Sequence, residues 1–403
     1  MLNHQPERSA WLVMWSAFLT FLALCAILPV GVQYYLEHAT TPQPATLEVI
    51  GGTVRVREPG AAAPIAVTKT IKLTEGAAIE TDENSRAILT FLDGSTTILF
   101  PSTQIYLRQM RVATFPWGVE PVSIILDQTR GRMRVGAAQQ VPQGSEPPRP
   151  RVFQVSTAQL ITTLTEGSYA IEITGDTSQV SVRDGTATVA AQGRTAKVSR
   201  GQRTLARQSE PPLAPIPAAQ DLIVNGDFMD PRSRGWSDQI EIPNTPGAPA
   251  GRLNNPAVDN RATLQIQRAN SNQTSAITGV VQEIKREVSD YRSIRVQADV
   301  RIQAHNLSGG GVVSSEYPLI LRLRYRDVYG SEAEWVHGFY SQNVTGNPTN
   351  NGEQVTPGVW LPYESGNLLE TLDPRPFFIT SLQVYASGWD YDSYATGIRL
   401  IVE

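Results

Sequence analysis

The sequence predicts an all-β protein with one N-terminal transmembrane helix and two β domains behind it. The uncharged run from Trp11 to Val32 predicts the helix, and helix-period patterns are almost absent after residue 40. The later chain instead alternates apolar and polar residues in short runs, which is typical of half-buried strands. Its 31 Gly and 28 Pro supply the many turns that a β-sandwich needs.

The membrane segment, residues 11–36, has the length and the ends of a spanning helix. About 22 residues from Trp11 to Val32, at about 1.5 Å each, form roughly 33 Å of helix, which matches a bilayer core of about 30 Å. Trp11 lies at one end, and Tyr34 and Tyr35 lie at the other. Because such rings favour the two membrane interfaces, we expect a single-pass membrane anchor.

The short segment before the helix sets the expected orientation. Residues 1–10 would form a cytoplasmic tail, since Arg8 precedes the helix and Glu37 follows it. Nearly all of the chain follows the helix, so we expect its bulk to be extracytoplasmic, at the cell membrane. A cleaved signal peptide and a lipoprotein site at Cys25 are the alternatives. The apolar run is long for the first, and Leu24 is not the small residue that the second needs.

Composition narrows the possible partners. The net charge of −4 and the pI of about 5.7 show no basic excess, so we expect no nucleic-acid partner. Cys25 is the only cysteine and lies in the membrane segment. The rest of the sequence therefore has no cysteine for a disulfide or a metal site. We expect no cofactor.

The first β domain is expected over residues 46–207, behind a polar, proline-bearing stalk at 37–45 that would act as an extended spacer. Its clearest element is a hairpin in which two alternating runs flank Asp93-Gly94. Glycine in this pair accepts the positive φ of a tight turn. The proline-rich stretch 141–150 is expected to be a surface loop or a short linker within this domain.

The pattern around this hairpin recurs once. Leu73-Thr74-Glu75-Gly76 reappears as Leu164-Thr165-Glu166-Gly167, and Asp93-Gly94 reappears as Asp184-Gly185 at the same spacing. We therefore predict two related β halves, each with the same hairpin. A single pair of repeats is too few for a solenoid. The alternative is that ordinary turns happen to align.

Turn glycines and core positions of this domain form a set of short motifs. They are Gly51-Gly52, Arg86 to Ser95, Pro101-Ser102-Thr103 and Gly201-Gln202. The set resembles the FecR domain, the extracytoplasmic domain of iron-dicitrate-type regulators and of many other bacterial membrane proteins. The resemblance covers residues 46–207, but Glu166-Gly167-Ser168 stands where the family usually has Arg-Gly-Thr. The classical regulators carry a cytoplasmic anti-sigma segment, which we expect residues 1–10 not to form.

A second proline-rich stretch, residues 208–220, is expected to be a linker and a domain boundary. Residues 221–403 then hold several long alternating runs, the pattern of half-buried strands in a sandwich. The clearest runs begin at Ala262, Ser293, Leu319 and Ser381.

The opening of this last domain is Asn225-Gly226-Asp227-Phe228, followed by Gly235-Trp236. Together with the run of strands, it resembles the jelly-roll sandwiches of carbohydrate-binding modules and galactose-binding-like domains. The resemblance covers most of residues 221–403 and implies a two-sheet jelly roll, although many such domains bind no sugar. Modules of this type often hold a structural calcium. Here Met229 and Thr396-Gly397 stand where acidic ligands are usual, so we expect no metal site.

The sequence predicts no catalytic residues. No nucleophile elbow, zinc-helix motif or phosphate loop is present. Glycoside hydrolysis needs two carboxylates that converge on one sugar. Nothing in the sequence brings Glu332 and Glu334 together with Asp390 and Asp392, and solvated loops account better for these acids. We expect the protein not to be an enzyme.

Two aromatic-rich stretches are the candidates for ligand binding. Flat rings stack on the apolar faces of sugars, while neighbouring polar groups bind the hydroxyls. The stretch at 335–340 follows a turn, and the stretch at 389–394 is expected to be a loop because it shows no obvious strand. The candidate ligand-binding residues are Trp335, Tyr340, Trp389, Tyr391 and Tyr394. The alternative is that Trp335 and Trp389 are core or loop-anchoring residues.

These features predict a non-catalytic, single-pass envelope protein. Its FecR-like and jelly-roll domains would bind or scaffold a glycan or a protein partner, in addition to the membrane contact of the helix. The alternative is a transmembrane signalling regulator that resembles the iron-dicitrate regulators but lacks a cytoplasmic anti-sigma segment. Its signal would have to pass through the membrane helix.

Overall fold

The computed structural model of the 403-residue chain describes residues 6–140, 149–241 and 245–403. The predicted linker 141–150 lies outside these ranges except for its last two positions. The chain is mostly β, with 51% of residues in strands and 9% in helices, which confirms the predicted fold class. It forms two compact units, Met1–Ala218 and Ala219–Glu403, and each has its own apolar core.

The first unit begins with α1, Pro6–His38, and continues as a run of mostly short strands. The strands are β1 Thr40–Pro42, β2 Ala45–Gly51, β3 Val54–Arg57, β4 Ile65–Val67, β5 Ile71–Leu73, β6 Ala78–Thr81, β7 Arg86–Thr90, β8 Thr96–Leu99, β9 Gln104–Ala113, β10 Val122–Ala137, β11 Arg151–Ser156, β12 Ile161–Leu164, β13 Gly167–Thr174, β14 Thr177–Asp184, β15 Thr186–Ala191, β16 Arg194–Ser199, β17 Gln202–Arg207 and β18 Ile216–Pro217.

These strands form two sheets that share β10, and their order closes on itself as a barrel. The first part of β10 pairs with β9 and β11, whereas the part from Gly131 onwards pairs with β13 and, from Met133, with β8. Gly131 marks this change of sheet. Its φ is +80°, and a Cβ there would lie 2.5 Å from the Cα of Thr103. Glycine meets both the conformational and the steric requirement at this position.

Both predicted halves contribute to one apolar core. The rings of Phe91, from the first half, and Phe153, from the second half, meet edge to face with their centroids 5.7 Å apart. A mostly buried ion pair also joins the halves, since Arg151 Nη1 lies 2.9 Å from Asp93 Oδ2 in the hairpin turn. The two halves therefore fold as one structure rather than as stacked separate units.

The first Asp-Gly turn forms the predicted hairpin, but its repeat does not. Strands β7 and β8 pair antiparallel around Asp93-Gly94. Strands β14 and β15 flank Asp184-Gly185, yet β14 pairs with β13 and β17, whereas β15 pairs with β12 and β16. The second turn therefore carries the chain from one sheet to the other, so a hairpin at this place was a wrong prediction.

Residues 37–45 are not the extended spacer that their composition predicts. Helix α1 continues to His38, and β1 then pairs with β9. His38 Nδ1 lies 2.7 Å from Glu120 Oε1, and the backbone N–H of Val119 donates to the Glu37 carbonyl at 2.9 Å. These pairings satisfy backbone groups that a solvated stalk would leave to water, and they join the helix directly to the first unit.

Most of the predicted linker at 208–220 packs on the first unit. The Leu213 N–H donates to the Leu205 carbonyl at 2.9 Å, and the Ala218 N–H donates to the Gly201 carbonyl at 2.8 Å. Strand β18 pairs with β17 between these two contacts. The boundary between the two units falls after Ala218.

The second unit contains the remaining strands and one short helix. They are β19 Gln220–Asp221, β20 Ser237–Ile240, β21 Arg252–Asn254, β22 Ala257–Val258, β23 Arg261–Ala262, β24 Leu264–Arg268, β25 Ala276–Glu287, β26 Ile294–His305, β27 Leu319–Arg326, β28 Glu332–Tyr340, β29 Gly352–Gln354, β30 Leu361–Glu364, α2 Leu368–Thr371, β31 Phe378–Gly388 and β32 Tyr391–Val402.

The second unit is a sandwich of two mainly antiparallel sheets. Sheet I has the order β21-β24-β32-β26-β30, with β19 paired to β32, and sheet II has the order β20-β25-β31-β27-β28-β29. Alternate residues of both sheets, such as Val296 and Leu321, form the core between them. Phe228 and Trp236 of the opening motif pack in this core with their rings 5.7 Å apart.

Candidate functional site

A groove of about 520 Å³ lies on the outer face of sheet II. Its lining comes from four neighbouring strands, β25, β31, β27 and β28. In β27, Leu319, Leu321 and Leu323 belong to the core. Because successive side chains of a strand point to opposite faces, Arg322 and Arg324 point outward.

Arg322 is the centre of a hydrogen-bond network on this face. Its Nη2 donates to the Tyr385 hydroxyl, and its Nη1 donates to Gln383 Oε1 at 3.4 Å. Gln383 Nε2 in turn donates to Gln239 Oε1 at 2.6 Å. Arg322 Nε lies 3.5 Å from Glu334 Oε2. One guanidinium therefore connects side chains from β31 and β28 and, through Gln383, from β20.

The Tyr385 ring lies beneath this guanidinium. The Arg322 Cζ is 4.5 Å from the ring centroid, and Tyr385 is only 3% exposed. Burial raises the pKa of the Tyr385 phenol, although Arg322 acts in the opposite direction. The phenol is therefore protonated at neutral pH. Since Arg322 donates to the phenol oxygen, the phenol keeps its own proton for a second acceptor.

The most exposed side chains along the groove are charged, and Val281 and Ala333 add half-buried apolar surface. Glu334 and Arg324 have side chains that are 48% and 49% exposed, and Ser381 and Gln383 line the same groove. Among the described lining residues the only ring is that of Tyr325, which is buried. This set of fixed donors and acceptors suits ligand hydroxyl groups, which both donate and accept hydrogen bonds.

The other end of the same face is covered. The ring of Tyr317 is fully buried over Gly338 and Gly352, where an added Cβ would lie 2.2 Å and 2.6 Å from ring atoms. Tyr340 packs beside Tyr317 with the ring centroids 6.1 Å apart. The two glycines leave the space that the Tyr317 ring occupies, so the face has one closed end and one open groove.

The five aromatic residues predicted as ligand contacts do not come together. Tyr340 is on the groove face, but it is only 8% exposed at the closed end. Trp335 points to the core side of the same strand, with its ring stacked on His337 at 6.1 Å. Trp389 is half-buried between β31 and β32, where its carbonyl accepts from Arg268 Nη1 at 3.3 Å. These positions favour the packing and anchoring roles that the sequence left open.

The stretch 389–394, predicted to be a loop, is mostly strand. Trp389 and Asp390 connect the two sheets, and β32 begins at Tyr391. The Tyr391 hydroxyl donates to Thr278 Oγ1 at 2.8 Å, and burial raises the pKa of this phenol to about 12. The loop prediction was wrong because Asp390 and Asp392 alternate with the buried residues Tyr391 and Ser393, which is the pattern of a strand with one buried face.

Tyr394 lies on the outer face of sheet I, which is a different surface from the groove. Its hydroxyl accepts from Gln265 Nε2 at 2.9 Å. On the neighbouring strand, Arg301 Nη1 donates to Asp259 Oδ2 at 2.9 Å, and Trp360 Nε1 donates to the same oxygen at 3.0 Å. This face therefore has two half-buried rings, Tyr394 and Trp360, among polar side chains that already bind one another.

The carboxylates considered for glycoside hydrolysis do not converge. Glu332 and Glu334 line the groove on sheet II, whereas Asp392 lies on the outer face of sheet I and Asp390 lies between the sheets. Acids on opposite outer faces cannot flank one glycosidic bond. Within the described ranges, no group of three or more His, Cys, Asp or Glu side chains is placed to hold a metal ion.

Sequence reasoning missed the groove residues as a group. A signal is present for them and for the adjoining Arg322 and Tyr385, because Arg322 and Arg324, like Ser381, Gln383 and Tyr385, occupy every second position of a strand. Alternation identifies the outward face of each strand by itself. It does not show that β27 and β31 are neighbours in the register that places Arg322 opposite Gln383.

Comparison with known proteins gives weak similarities. No family model and no curated protein match this chain. Among solved structures, an anti-sigma factor from Parabacteroides distasonis is similar, with 16% identity and a TM-score of 0.26. The match covers 35% of this chain and 59% of that protein, so this chain spans less than two thirds of the anti-sigma factor's length.

Two carbohydrate-binding modules are similar as well. The family 11 module of a Clostridium thermocellum cellulosomal cellulase has 12% identity and a TM-score of 0.27, over 46% of this chain and 95% of the module. The CBM22-1 xylan-binding domain from Paenibacillus barcinonensis has 13% identity and a TM-score of 0.28, over the same shares. Similarity at this level assigns neither a family nor a function to the chain.

Proposed function

We propose that the second unit binds an oligosaccharide in the groove on sheet II, and that the chain is a non-catalytic binding protein of the cell envelope. The observation that carries this proposal is an open groove of about 520 Å³, whose lining residues Gln383 and Glu334 contact Arg322, a side chain next to the groove. Its donors and acceptors are already held in place, so binding costs little side-chain ordering. Sugar hydroxyls are suited to such an array because each can donate and accept.

The charges along the groove favour an uncharged glycan. Glu283, Glu332 and Glu334 line it, together with the exposed Arg324. Arg322 is only 19% exposed at its side chain and already has partners. An anionic sugar would meet three carboxylates and few free cations, which disfavours its binding.

A glycan array tests the proposal with the full-length protein in nanodiscs. We expect neutral oligosaccharides to bind. The Glu334→Gln variant keeps the side-chain shape but removes the charge, and it should weaken binding severalfold. The reason is that a hydrogen bond to a charged group contributes about 1.5–3 kcal/mol and the amide retains only part of it.

The matched control is Glu364→Gln on the outer face of sheet I. The side chains of Glu334 and Glu364 are 48% and 47% exposed, so the two substitutions differ mainly in the face that they change. Binding should be unchanged in the control. A loss in the control but not in Glu334→Gln would place the ligand on the other face, and no bound glycan at all would contradict the proposal.

We also propose that α1 anchors the chain in the cell membrane, with the β units outside the cytoplasm. Within the described residues, Ala10–His38 is the helix long and apolar enough to cross a bilayer, with a mean hydropathy of 2.2 and none of it buried. Protease added to intact spheroplasts should digest the β units. Their protection would contradict this orientation, and release of the chain without α1 would indicate a signal peptide instead.

A second candidate function is transmembrane signalling, and one observation favours it. Strand β1 follows α1 almost at once, and Glu120 and Val119 hold the end of the helix against the first unit. A displacement of the first unit would therefore move α1, the element that would meet a partner's membrane segment.

Photo-crosslinking from α1 in native membranes tests this second function. Ser16 and Thr20 are exposed on the helix and are suitable sites for the photoreactive side chain. Signalling requires that a defined membrane protein is crosslinked at one of these positions. Adducts with lipid alone would contradict a regulatory role and leave α1 as an anchor.

A further inference from the structure

The connection between β9 and β10 exposes a cluster of apolar side chains, residues 115–119, which we call the aromatic loop. Trp117 is 62% exposed and Val119 is 59% exposed. The ring of Phe115 stacks on that of Trp117, with centroids 5.5 Å apart and planes within 10° of parallel. A contiguous exposed cluster of this kind is typical of an interaction surface.

The aromatic loop is fastened to the last turns of α1. The backbone N–H of Val119 donates to the Glu37 carbonyl at 2.9 Å. The ring of Phe115 meets the ring of Tyr35 edge to face, with centroids 6.4 Å apart. The loop therefore lies at the same level as the end of the helix, and its position follows from where the helix ends.

The end of α1 carries the aromatic residues of a membrane interface. Tyr34 and Tyr35 are 65% and 63% exposed. At about 1.5 Å per residue, the helix from Trp11 to Tyr34 is about 35 Å long, slightly more than a bilayer core of about 30 Å. If Trp11 lies at one interface, the two tyrosines reach the headgroups at the other.

We propose that the aromatic loop inserts into the outer headgroup layer beside α1, so that the first unit contacts the lipid surface at a second point. The proposal rests on α1 spanning the membrane. Tryptophan is enriched in this layer because its ring is apolar and its N–H is polar. Two contacts, the helix and the loop, would fix the tilt of the first unit on the bilayer.

A basic side chain next to the loop supports a lipid surface as the occupant. Arg149 Nη2 donates to the Pro116 carbonyl at 2.6 Å, which places a guanidinium beside the exposed rings. Guanidinium groups bind phosphate oxygens well. The nearby acid Glu120 binds His38, with its Oε1 2.7 Å from the His38 Nδ1.

Site-specific fluorescence quenching in nanodiscs tests the proposal on the full-length chain. Val119→Cys, in a Cys25→Ser background, carries an environment-sensitive fluorophore on the loop. The matched control is Tyr106→Cys, which is 40% exposed on the same strand that leads into the loop. Strand β1 leaves the helix antiparallel to β9, so Tyr106 lies away from the helix end.

A spin-labelled lipid headgroup should quench the fluorophore at position 119 severalfold more than the one at position 106, and iodide in the buffer should show the reverse order. Trp117→Asp in the position 119 background should reduce the lipid quenching severalfold. It should leave thermal unfolding unchanged, because Trp117 is mostly exposed. Equal access of iodide to positions 119 and 106 would overturn the proposal.

Two further measurements distinguish a lipid surface from a protein partner and check that α1 spans the bilayer. Protection of position 119 from iodide in native membranes, without protection in pure lipid nanodiscs, would overturn the lipid proposal in favour of a protein partner. A fluorophore on the native Cys25 should be quenched by spin-labelled acyl chains. If this fluorophore is not quenched, α1 does not span the bilayer. That result would contradict both the membrane anchor and the lipid contact of the aromatic loop.

Discussion

The two outer faces of the C-terminal sandwich carry similar side chains in different arrangements. On sheet II, Arg322, Gln383 and Glu334 meet across strands along a groove of about 520 Å³, and none of its described lining residues exposes a ring. On sheet I, Tyr394 and Trp360 offer rings, but neither lines the hollow of about 360 Å³ on that face. Polar side chains line both hollows, and the larger of the two is on sheet II.

This difference teaches that the half-buried rings Tyr394 and Trp360 and the larger hollow lie on different faces of the sandwich. Trp360 already donates to Asp259, and Arg261 lies over its ring at 5.7 Å. The Arg301 guanidinium is likewise engaged with Asp259. Polar side chains bind one another on sheet II as well, since Glu334 Oε2 lies 3.9 Å from Arg324 Nε, but these two side chains also line the larger hollow.

The largest effect is expected from Arg322→Ala. The substitution removes the donor to Gln383 and Tyr385 and the charge beside Glu334. Gln383 and Glu334, which line the groove, would lose the partner that holds them, and ordering each on binding costs about 0.5–1.5 kcal/mol, so glycan affinity should fall by roughly 10-fold or more. Isothermal titration with the best glycan from the array measures this loss, and thermal unfolding monitors the fold.

Arg301→Ala is the matched control on sheet I. The side chains of Arg322 and Arg301 are 19% and 20% exposed, and each pairs with a carboxylate. Affinity should be unchanged in this variant. If Arg301→Ala lowers glycan affinity and Arg322→Ala does not, the glycan binds on sheet I and not on sheet II.

In this chain the sequence predicts turns and strands better than it predicts which strands pair with each other. The Asp93-Gly94 hairpin follows from turn chemistry, since both strands and the turn are adjacent in the chain. Asp184-Gly185 has the same chemistry, but its flanking strands find partners elsewhere, so the hairpin does not form. Turn residues determine where the chain bends, but they do not determine whether the two strands that flank the turn pair with each other.

The groove could not be predicted from the sequence, because the sequence does not show which strands are neighbours. Alternation along β27 places Arg322 outward, and alternation along β31 does the same for Gln383. Their contact depends on strand register, which is set by long-range packing. Tyr391 shows the opposite error, because an aromatic residue between aspartates resembles a loop until its neighbours in β32 are seen to be buried.

An intermediate effect is expected from pH, through His305, the last residue of β26 in sheet I. Its Nε2 accepts from the N–H groups of Ser341 and Gln342 at 2.9 Å and 3.2 Å. Burial lowers the pKa of His305, although the Leu307 carbonyl acts in the opposite direction. The unfolded chain, with a pKa of about 6.5, therefore takes up the proton first.

Stability of the second unit should consequently be highest above about pH 6.5 and should fall as the pH decreases below it, by about 1.4 kcal/mol for each unit of pKa difference. Chemical unfolding of the full-length protein between neutral and mildly acidic pH measures the slope. The His305→Asn variant should have a smaller slope, and His337, whose pKa burial also lowers despite Glu353, contributes to the remainder. An unchanged slope in the variant would exclude His305 as the source.

The smallest effect is expected from Trp360→Ala, which removes a ring on sheet I that a sugar could stack on. The substitution loses the hydrogen bond to Asp259, a contribution of about 1.5–3 kcal/mol to stability, and the contact with Arg261, a contribution of about 0.5–1 kcal/mol. Glycan affinity should change by less than about twofold, because no atom of this ring lines the sheet II groove. Titration with the same glycan as for Arg322→Ala measures the change. A loss as large as that of Arg322→Ala would mean that ring stacking on sheet I, rather than the polar groove on sheet II, binds the ligand.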